Sequence, residues 1–258
     1  MGVRTFAACQ FRPEALVEAR HGRRVSVCLP ARDEEATIGA IVARVHTALV
    51  EAVPLVDEVL VVDDGSADGT AAEARSAGAR VVRRDPGDGP PGKGQALRRA
   101  VEEATGDVLV FLDADVRNFD SHFVVGLLGP VLTEPGTALV KATYRRPLEG
   151  SDGPGGRVTE LVARPLLARL FPELAGVTQP LAGECAAPRS VLEAVPFADG
   201  YGVEVGLLID VAARCGVGAL AQVDLGERVH RNRPLDELAP QAAAVLDVVL
   251  DRTGWERR

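Results

Sequence analysis

Between Arg24 and about Val140 the chain alternates short β-branched runs with longer segments whose apolar residues recur at helical spacing. Few folds accommodate that rhythm. Val25-Ser26-Val27-Cys28-Leu29 reads as a strand ended by Pro30, and the acidic Asp33-Glu34-Glu35 opens a helix carrying Ile38, Ile41, Val42, Val45 and Leu49 on one face. Glu58–Val62 is a second strand, ending in Asp63-Asp64-Gly65-Ser66. A short helix from Gly69 to Ala77 follows, then a third strand at Arg80–Val82. Gly87–Gly94 is rich in glycine and proline and reads as a loop, after which Gln95–Ala104 resumes helical periodicity. Val108–Leu112 is the most apolar run and is expected at the sheet centre, buried on both faces. The alternation predicts an α/β fold with a parallel sheet and right-handed crossovers.

The second half is patterned differently. Leu139–Tyr144 reads as a strand, Glu149–Gly156 as a mobile loop, and Val158–Leu170 as a helix kinked or split at Pro165. Glu204–Cys215 is a strong helix, Ala219–Val223 a short strand, and Pro234–Asp251 a helix interrupted near Pro240. Composition narrows the function classes. With 29 Lys+Arg against 37 Asp+Glu, the 258-residue chain carries a formal charge of −8, which argues against nucleic acid as a partner. The longest stretch free of charged residues, Ser121–Thr133, is too short to span a bilayer, so no membrane partner is expected. Cys9, Cys28, Cys185 and Cys215 are scattered, as in a reduced, cytoplasmic protein.

Asp113-Ala114-Asp115 directly follows the central strand. Two carboxylates spaced this way at a strand's carboxyl end can converge on one hard cation, and open α/β sheets bind ligands at that edge. Pro30-Ala31-Arg32-Asp33-Glu34-Glu35 and Asp63-Asp64-Gly65-Ser66 end two further strands. Each alone is also a plausible cap or turn; together, on neighbouring strands, they favour a nucleotide site. Lys93, flanked by Gly92 and Gly94, suits a phosphate as a point charge, though a solvated loop lysine would look the same. Arg228-Val229-His230-Arg231-Asn232-Arg233 crowds cations around one histidine, which a metal or a pyrophosphate would reconcile. Gly155-Gly156-Arg157-Val158-Thr159-Glu160 has the make-up of an anion site at a helix start, with Lys141, Arg145 and Arg146 adding positive charge.

These strand ends resemble the nucleotide-sugar half of GT-A glycosyltransferases. Lys141–Leu148, Gly156–Leu167, Gly200–Gly206 and Gly226–Leu235 are similar, in the same order, to segments of actinobacterial glucosyl-3-phosphoglycerate synthases. The resemblance implies a Rossmann-like, mostly parallel sheet flanked by helices, with a helical acceptor-binding C-terminal half. It implies an N-terminal extension at 1–23, a nucleotide-sugar-binding part at 24–140 and an acceptor-binding part with the C-terminal helix at 141–258. It further implies retaining transfer of glucose from UDP-glucose to the 2-hydroxyl of 3-phosphoglycerate, with Mg²⁺ or Mn²⁺, by a homodimer. Pro30, Ala31, Glu34, Ser66, Lys93 and Asp113 would then hold the donor. Asp115 and His230 would ligate the metal. Gly156, Arg157, Thr159 and Asn232 would hold the acceptor, with Asp115, Glu204, Arg228 and Asn232 forming the catalytic set.

Two positions depart from that family: Asp33 stands where Asn is frequent, and Ala114 where Ser is. No carboxylate stands out as a nucleophile, so front-face attack is expected, the departing phosphate oxygen helping to deprotonate the acceptor. Competing readings are a mannosyl-3-phosphoglycerate synthase using GDP-mannose, a haloacid-dehalogenase-type phosphatase with Asp113 as nucleophile, and a nucleotide-sugar sensor without catalysis.

Overall fold

The computed structural model describes residues 2–84, 92–148, 151–153, 156–229 and 235–254. Its strands are β1 (Arg4–Ala7), β2 (Val25–Ala31), β3 (Glu58–Asp63), β4 (Arg80–Arg83), β5 (Val108–Phe111), β6 (Leu139–Leu148), β7 (Ser151–Gly153), β8 (Cys185–Pro188) and β9 (Leu220–Glu227). They form one sheet in the order β1-β9-β6-β8-β5-β2-β3-β4, with β7 paired to β6. The expected parallel core is present: β2 pairs in parallel with both β3 and β5, and β3 with β4. The sheet is nevertheless mixed, because β8 runs antiparallel between β5 and β6.

Strand periodicity divides the core in two. Val108 and Val110 of β5 pack in the layer that also holds Leu16, Ile38, Ile41, Val42 and Phe123. Leu109 and Phe111 face the layer of Leu97, Leu167, Val205 and Val249. Helices α1 (Pro13–Ala19), α2 (Glu35–Val45), α3 (Thr70–Ser76) and α5 (His122–Thr133) cover the first face. Helices α4 (Lys93–Glu103), α6 (Arg164–Leu170), α7 (Arg189–Leu192), α8 (Val203–Cys215) and α9 (Leu235–Asp251) cover the second. Each β5 side chain is at most 1% exposed, contributing about 1.5–3 kcal/mol apiece.

Several local expectations are corrected. Pro30 does not end β2. Cys28 accepts from the Leu112 amide on the β5 side, so Pro30, two residues on, turns its missing N–H toward the side that β5 has left. Lys93 and Gly94 belong to the first turn of α4 rather than a loop. Ser151–Gly153 pairs with β6 in the segment expected to be a loop, while Glu149, Gly150, Pro154 and Gly155 lie outside the described residues. The final strand runs on to Glu227. Residues 4–19, which carried no reading from sequence, supply an edge strand beside β9 and a helix against α5. The uncharged Ser121–Thr133 stretch is a helix buried all round; Gly129 lets the Phe11 ring lie against its backbone, where a Cβ would overlap it. Among the described residues no helix is long and apolar enough to cross a membrane.

Candidate active site

The chain runs β2-β3-β4 outward on one side of β2 and then crosses back to β5 on the other side. The carboxyl ends of β2 and β5 therefore flank a topological switch point, where open sheets of this kind leave a crevice. Asp113-Ala114-Asp115 emerges there. Ala114 turns inward, 4% exposed, and its carbonyl accepts from Thr37 Oγ1 at 2.6 Å. This pins the backbone and leaves the two flanking carboxylates on the crevice side.

Both carboxylates meet one guanidinium. Arg228 Nη2 lies 2.7 Å from Asp113 Oδ2 and 2.9 Å from Asp115 Oδ1. The other Asp113 oxygen is 2.5 Å from Lys93 Nζ, and Lys93 also pairs with Glu204 Oε1 at 2.7 Å. Lys93 and Glu204 reach one another from the first turns of α4 and α8. Burial pulls the Lys93 pKa down, but Asp113 and Glu204 outweigh it and hold the ammonium well above its ordinary value. Arg228 behaves alike: burial opposes its charge, while Glu184, Tyr144, Asp113 and Asp115 raise its pKa. Gly183 makes room for the array, since a Cβ there would overlap Asp113 Oδ1 and Lys93 Nζ.

Behind the array lie residues that sequence reading did not single out. Glu184, fully buried, approaches Arg228 Nε at 2.8 Å. Burial pushes its carboxyl pKa up, against the opposing pull of Arg228. Tyr144 donates to Glu184 Oε2 at 3.2 Å. An acidic residue set in the apolar run Leu181–Ala187 was the available signal. Lys141, expected to add charge to an anion site, is instead 3% exposed and donates to the Ala182 carbonyl, with its pKa lowered by burial. It sits opposite Cys185 within an interior strand, so its side chain is enclosed by the layer above the sheet.

The β2 and β3 ends form a clasp. Asp33 adopts φ +55°, a left-handed conformation that Asp and Asn tolerate best, so Asp in place of Asn preserves the turn. Its amide donates to Ser66 Oγ at 3.1 Å, and its Oδ1 accepts from Ala67 N at 2.8 Å. Glu34 N donates to Thr70 Oγ1 at 2.8 Å, and Asp64 N to the Ala31 carbonyl at 2.9 Å. Pro30, Ala31, Glu34 and Ser66 are thus brought together on one rim. Asp64 also pairs with Arg84 at 2.5 Å, and burial raises its pKa against the pull of Arg84, Arg32 and the Gly92 amide. That amide ties the rim to the start of α4.

Gly156, Arg157 and Thr159, expected to hold the acceptor, open the helical run that continues through a π-type turn (Thr159–Ala163) into α6. Arg157 is exposed and Thr159 buried. Glu160 N donates to the Gly156 carbonyl at 3.0 Å. His230 and Asn232 lie outside the described residues. The chain just before them is firmly placed: Val229 O accepts from Arg117 N at 3.0 Å, and Val229 N donates to Asn118 Oδ1 at 2.8 Å.

The donor set can be tested for a divalent cation. Lys93 and Arg228 pair with four carboxylates, Asp113, Asp115, Glu184 and Glu204, so the ion-paired cluster carries excess negative charge. No group of three or more metal-ligating side chains occurs among the described residues. Carboxylate oxygens in a cluster of net negative charge suit a hard cation of the Mg²⁺ type.

The sequence matches the glycosyl transferase family 2 model over residues 26–192. Glucosyl-3-phosphoglycerate synthase of Mycobacterium tuberculosis (strain CDC 1551 / Oshkosh) is 52% identical over 250 residues, covering 93% of this chain and 76% of its own length. The chain belongs to the glucosyl-3-phosphoglycerate synthase family. A member from Petrotoga mobilis is 43% identical over 239 residues, covering 89% of this chain and 73% of its own. The crystal structure of the M. tuberculosis synthase with Mn²⁺, UDP and phosphoglyceric acid superposes with a TM-score of 0.90 at 47% identity, over 99% of this chain and 87% of that one. Its complex with Mn²⁺, UDP and glucosyl-3-phosphoglycerate gives 0.90 at 47% identity, over 99% and 89%. The synthase fold is GT-A, as the strand-end motifs led one to expect. Membership of this transferase family also sets aside the phosphatase reading. Here Asp113 follows β5 and has both oxygens paired with cations.

Proposed function

We infer that the enzyme transfers glucose from UDP-glucose to the 2-hydroxyl of 3-phosphoglycerate, with retention and with a divalent cation. The observation that carries this is the convergence of Asp113, Asp115, Lys93 and Arg228 at the switch point, in a chain half identical to synthases of that name. The M. tuberculosis synthase has been crystallised with Mn²⁺, UDP-glucose and phosphoglyceric acid, and with Mg²⁺ and UDP. In this reading Pro30, Ala31, Glu34 and Ser66 form the nucleoside rim, with Lys93 and Asp113 beside the diphosphate. Asp115 and His230 hold the cation. Val229, the residue before His230 in sequence, is bonded to Arg117 and Asn118 of the loop that follows Asp115, which supports this pairing. Residues 24–140 act as the donor half and 141–258 as the acceptor half.

The bond between the anomeric carbon and the β-phosphate oxygen breaks while the acceptor 2-oxygen bonds to that carbon from the same face. The hydroxyl proton passes to the departing phosphate oxygen. When bound, Mg²⁺ or Mn²⁺ supplies charge stabilisation to the leaving diphosphate. Arg228 and Lys93 add fixed positive charge beside it, already oriented by their carboxylate partners. Glu204, neutralised by Lys93, orients glucose hydroxyls rather than attacking carbon, and Arg157 and Thr159 with Gly156 and Asn232 receive the acceptor's anionic groups. A homodimer belongs to the same reading, and sedimentation should give twice the 27.1 kDa chain mass. A cytoplasmic location suits four free cysteines.

The deciding assay incubates the purified protein with 3-phosphoglycerate, Mg²⁺ and, separately, UDP-glucose, GDP-glucose and GDP-mannose. UDP release from UDP-glucose with an α-linked product is expected. Preferential GDP release from GDP-mannose would instead make it a mannosyl transferase, and UDP-glucose binding without turnover a sensor.

A further inference from the structure

Arg228 reaches the two aspartates out of a socket built by residues that stand behind the crevice. Its Nε is 2.8 Å from Glu184 Oε1, its Nη1 donates to the Tyr144 hydroxyl at 3.2 Å, and its guanidinium carbon sits 5.2 Å from the Tyr144 ring centroid. Tyr144 is itself fastened to Glu184 Oε2. The Glu184 backbone is equally fixed, its carbonyl accepting from Ala142 N at 3.0 Å. A carboxylate with no exposed surface is expensive to keep, and a well-packed apolar residue would serve stability as well. Its charge therefore calls for a reason beyond packing.

We propose that Glu184 is a positioning residue for the transfer reaction. Through its ion pair with the Nε edge, it anchors the Arg228 guanidinium from behind while Nη2 bridges Asp113 and Asp115. Asp115 can then take up a divalent cation while Arg228 stays beside the diphosphate. The proposal rests on the glycosyltransferase reading above. Arg228 already bridges Asp113 and Asp115, so an entering cation competes with it for Asp115; without the Glu184 charge those two aspartates are its remaining carboxylate partners and hold it more tightly. Loss of a nearby negative charge weakens cation binding in the same direction.

The test is Glu184→Gln in the full chain, read by Mn²⁺ titration under electron paramagnetic resonance with saturating UDP. A weakening of Mn²⁺ binding by about tenfold or more is expected, in line with other groups that orient metal ligands from behind. The kcat should fall comparably while the KM for 3-phosphoglycerate stays within twofold. A folded variant with Mn²⁺ affinity within twofold of the parent overturns the proposal, as does one whose melting temperature alone falls. If the glutamine variant does not fold, Tyr144→Phe removes the shared hydroxyl and keeps the ring. It should weaken Mn²⁺ binding in the same sense, and unchanged affinity there counts equally against the idea. If the parent binds Mn²⁺ with UDP yet forms no glucosyl product, the substrate reading fails while the Mn²⁺ comparison still judges Glu184.

Discussion

Asp113 and Asp115 lie two residues apart but sit in different company. Asp113 spends one oxygen on Lys93 and the other on Arg228, whereas Asp115 meets Arg228 through Oδ1 and keeps a quarter of its side chain exposed. That asymmetry suits Asp113 to holding the cationic frame and Asp115 to offering an oxygen to a bound cation. Asp115→Ala should therefore abolish UDP-glucose turnover with the far-ultraviolet circular dichroism unchanged. Asp113→Asn should retain weak UDP binding by calorimetry, and full activity in either variant would contradict the assignment. Arg157→Ala should raise the KM for 3-phosphoglycerate about tenfold or more and move the UDP-glucose KM far less, since loss of one charge-assisted contact acts on the anion it meets. Equal effects on both substrates would remove Arg157 from the acceptor site. The D-x-D pair and Lys93 stood out in the sequence through their places at a strand end and between two glycines, although each also had a structural reading, and the structure brings them into contact. Glu184 and Tyr144 did not stand out, because each is a single residue outside any motif whose partners lie far away in sequence.

At the level of elements, β8 is the piece whose sequence says least. Cys185-Ala186-Ala187-Pro188 contains no β-branched residue and ends in proline, so local propensity does not mark it as a strand. It forms because β5 and β6 offer it ladders on both sides, and in forming it delivers Gly183 and Glu184 to the crevice. Gly183→Ala should test how closely that turn is fitted. The added methyl would push Asp113 and Lys93 apart, costing about 1–3 kcal/mol in chemical denaturation. Because a misplacement of about 1 Å at a reacting centre can cost 100-fold, kcat/KM should fall by a similar factor. A fully active variant would show that the Lys93–Asp113 contact is not needed in the assembled site. Helix α4 shows the opposite case. Its start was misread as a loop on glycine content, yet Gly92 and Gly94 are there for close approach. A Cβ on Gly94 would overlap the Ala198 carbonyl, and one on Gly92 would strike Gln95 and crowd Gly200.

Across the whole molecule, the second layer against the central strands is closed enough to hide two thiols. Cys28 and Cys185 are buried, and burial pushes the Cys185 thiol up to about 11 and that of Cys28 higher still, whereas Cys9 and Cys215 are exposed. Only the thiolate reacts, so at pH 8 a disulfide reagent should titrate two thiols in the native enzyme and four after unfolding. Four fast thiols in the native state would mean that the sheet opens readily. The sequence by itself determined the α/β class, the parallel core and the carboxylate-bearing strand ends, because period-two and helical spacing are local signals set by which faces must avoid water. Tertiary structure decided that β8 and β9 complete the sheet, that β1 joins its far edge, and that Arg228 meets Asp113 from 115 residues away. Those outcomes depend on pairings between distant segments, whose energy no local window contains.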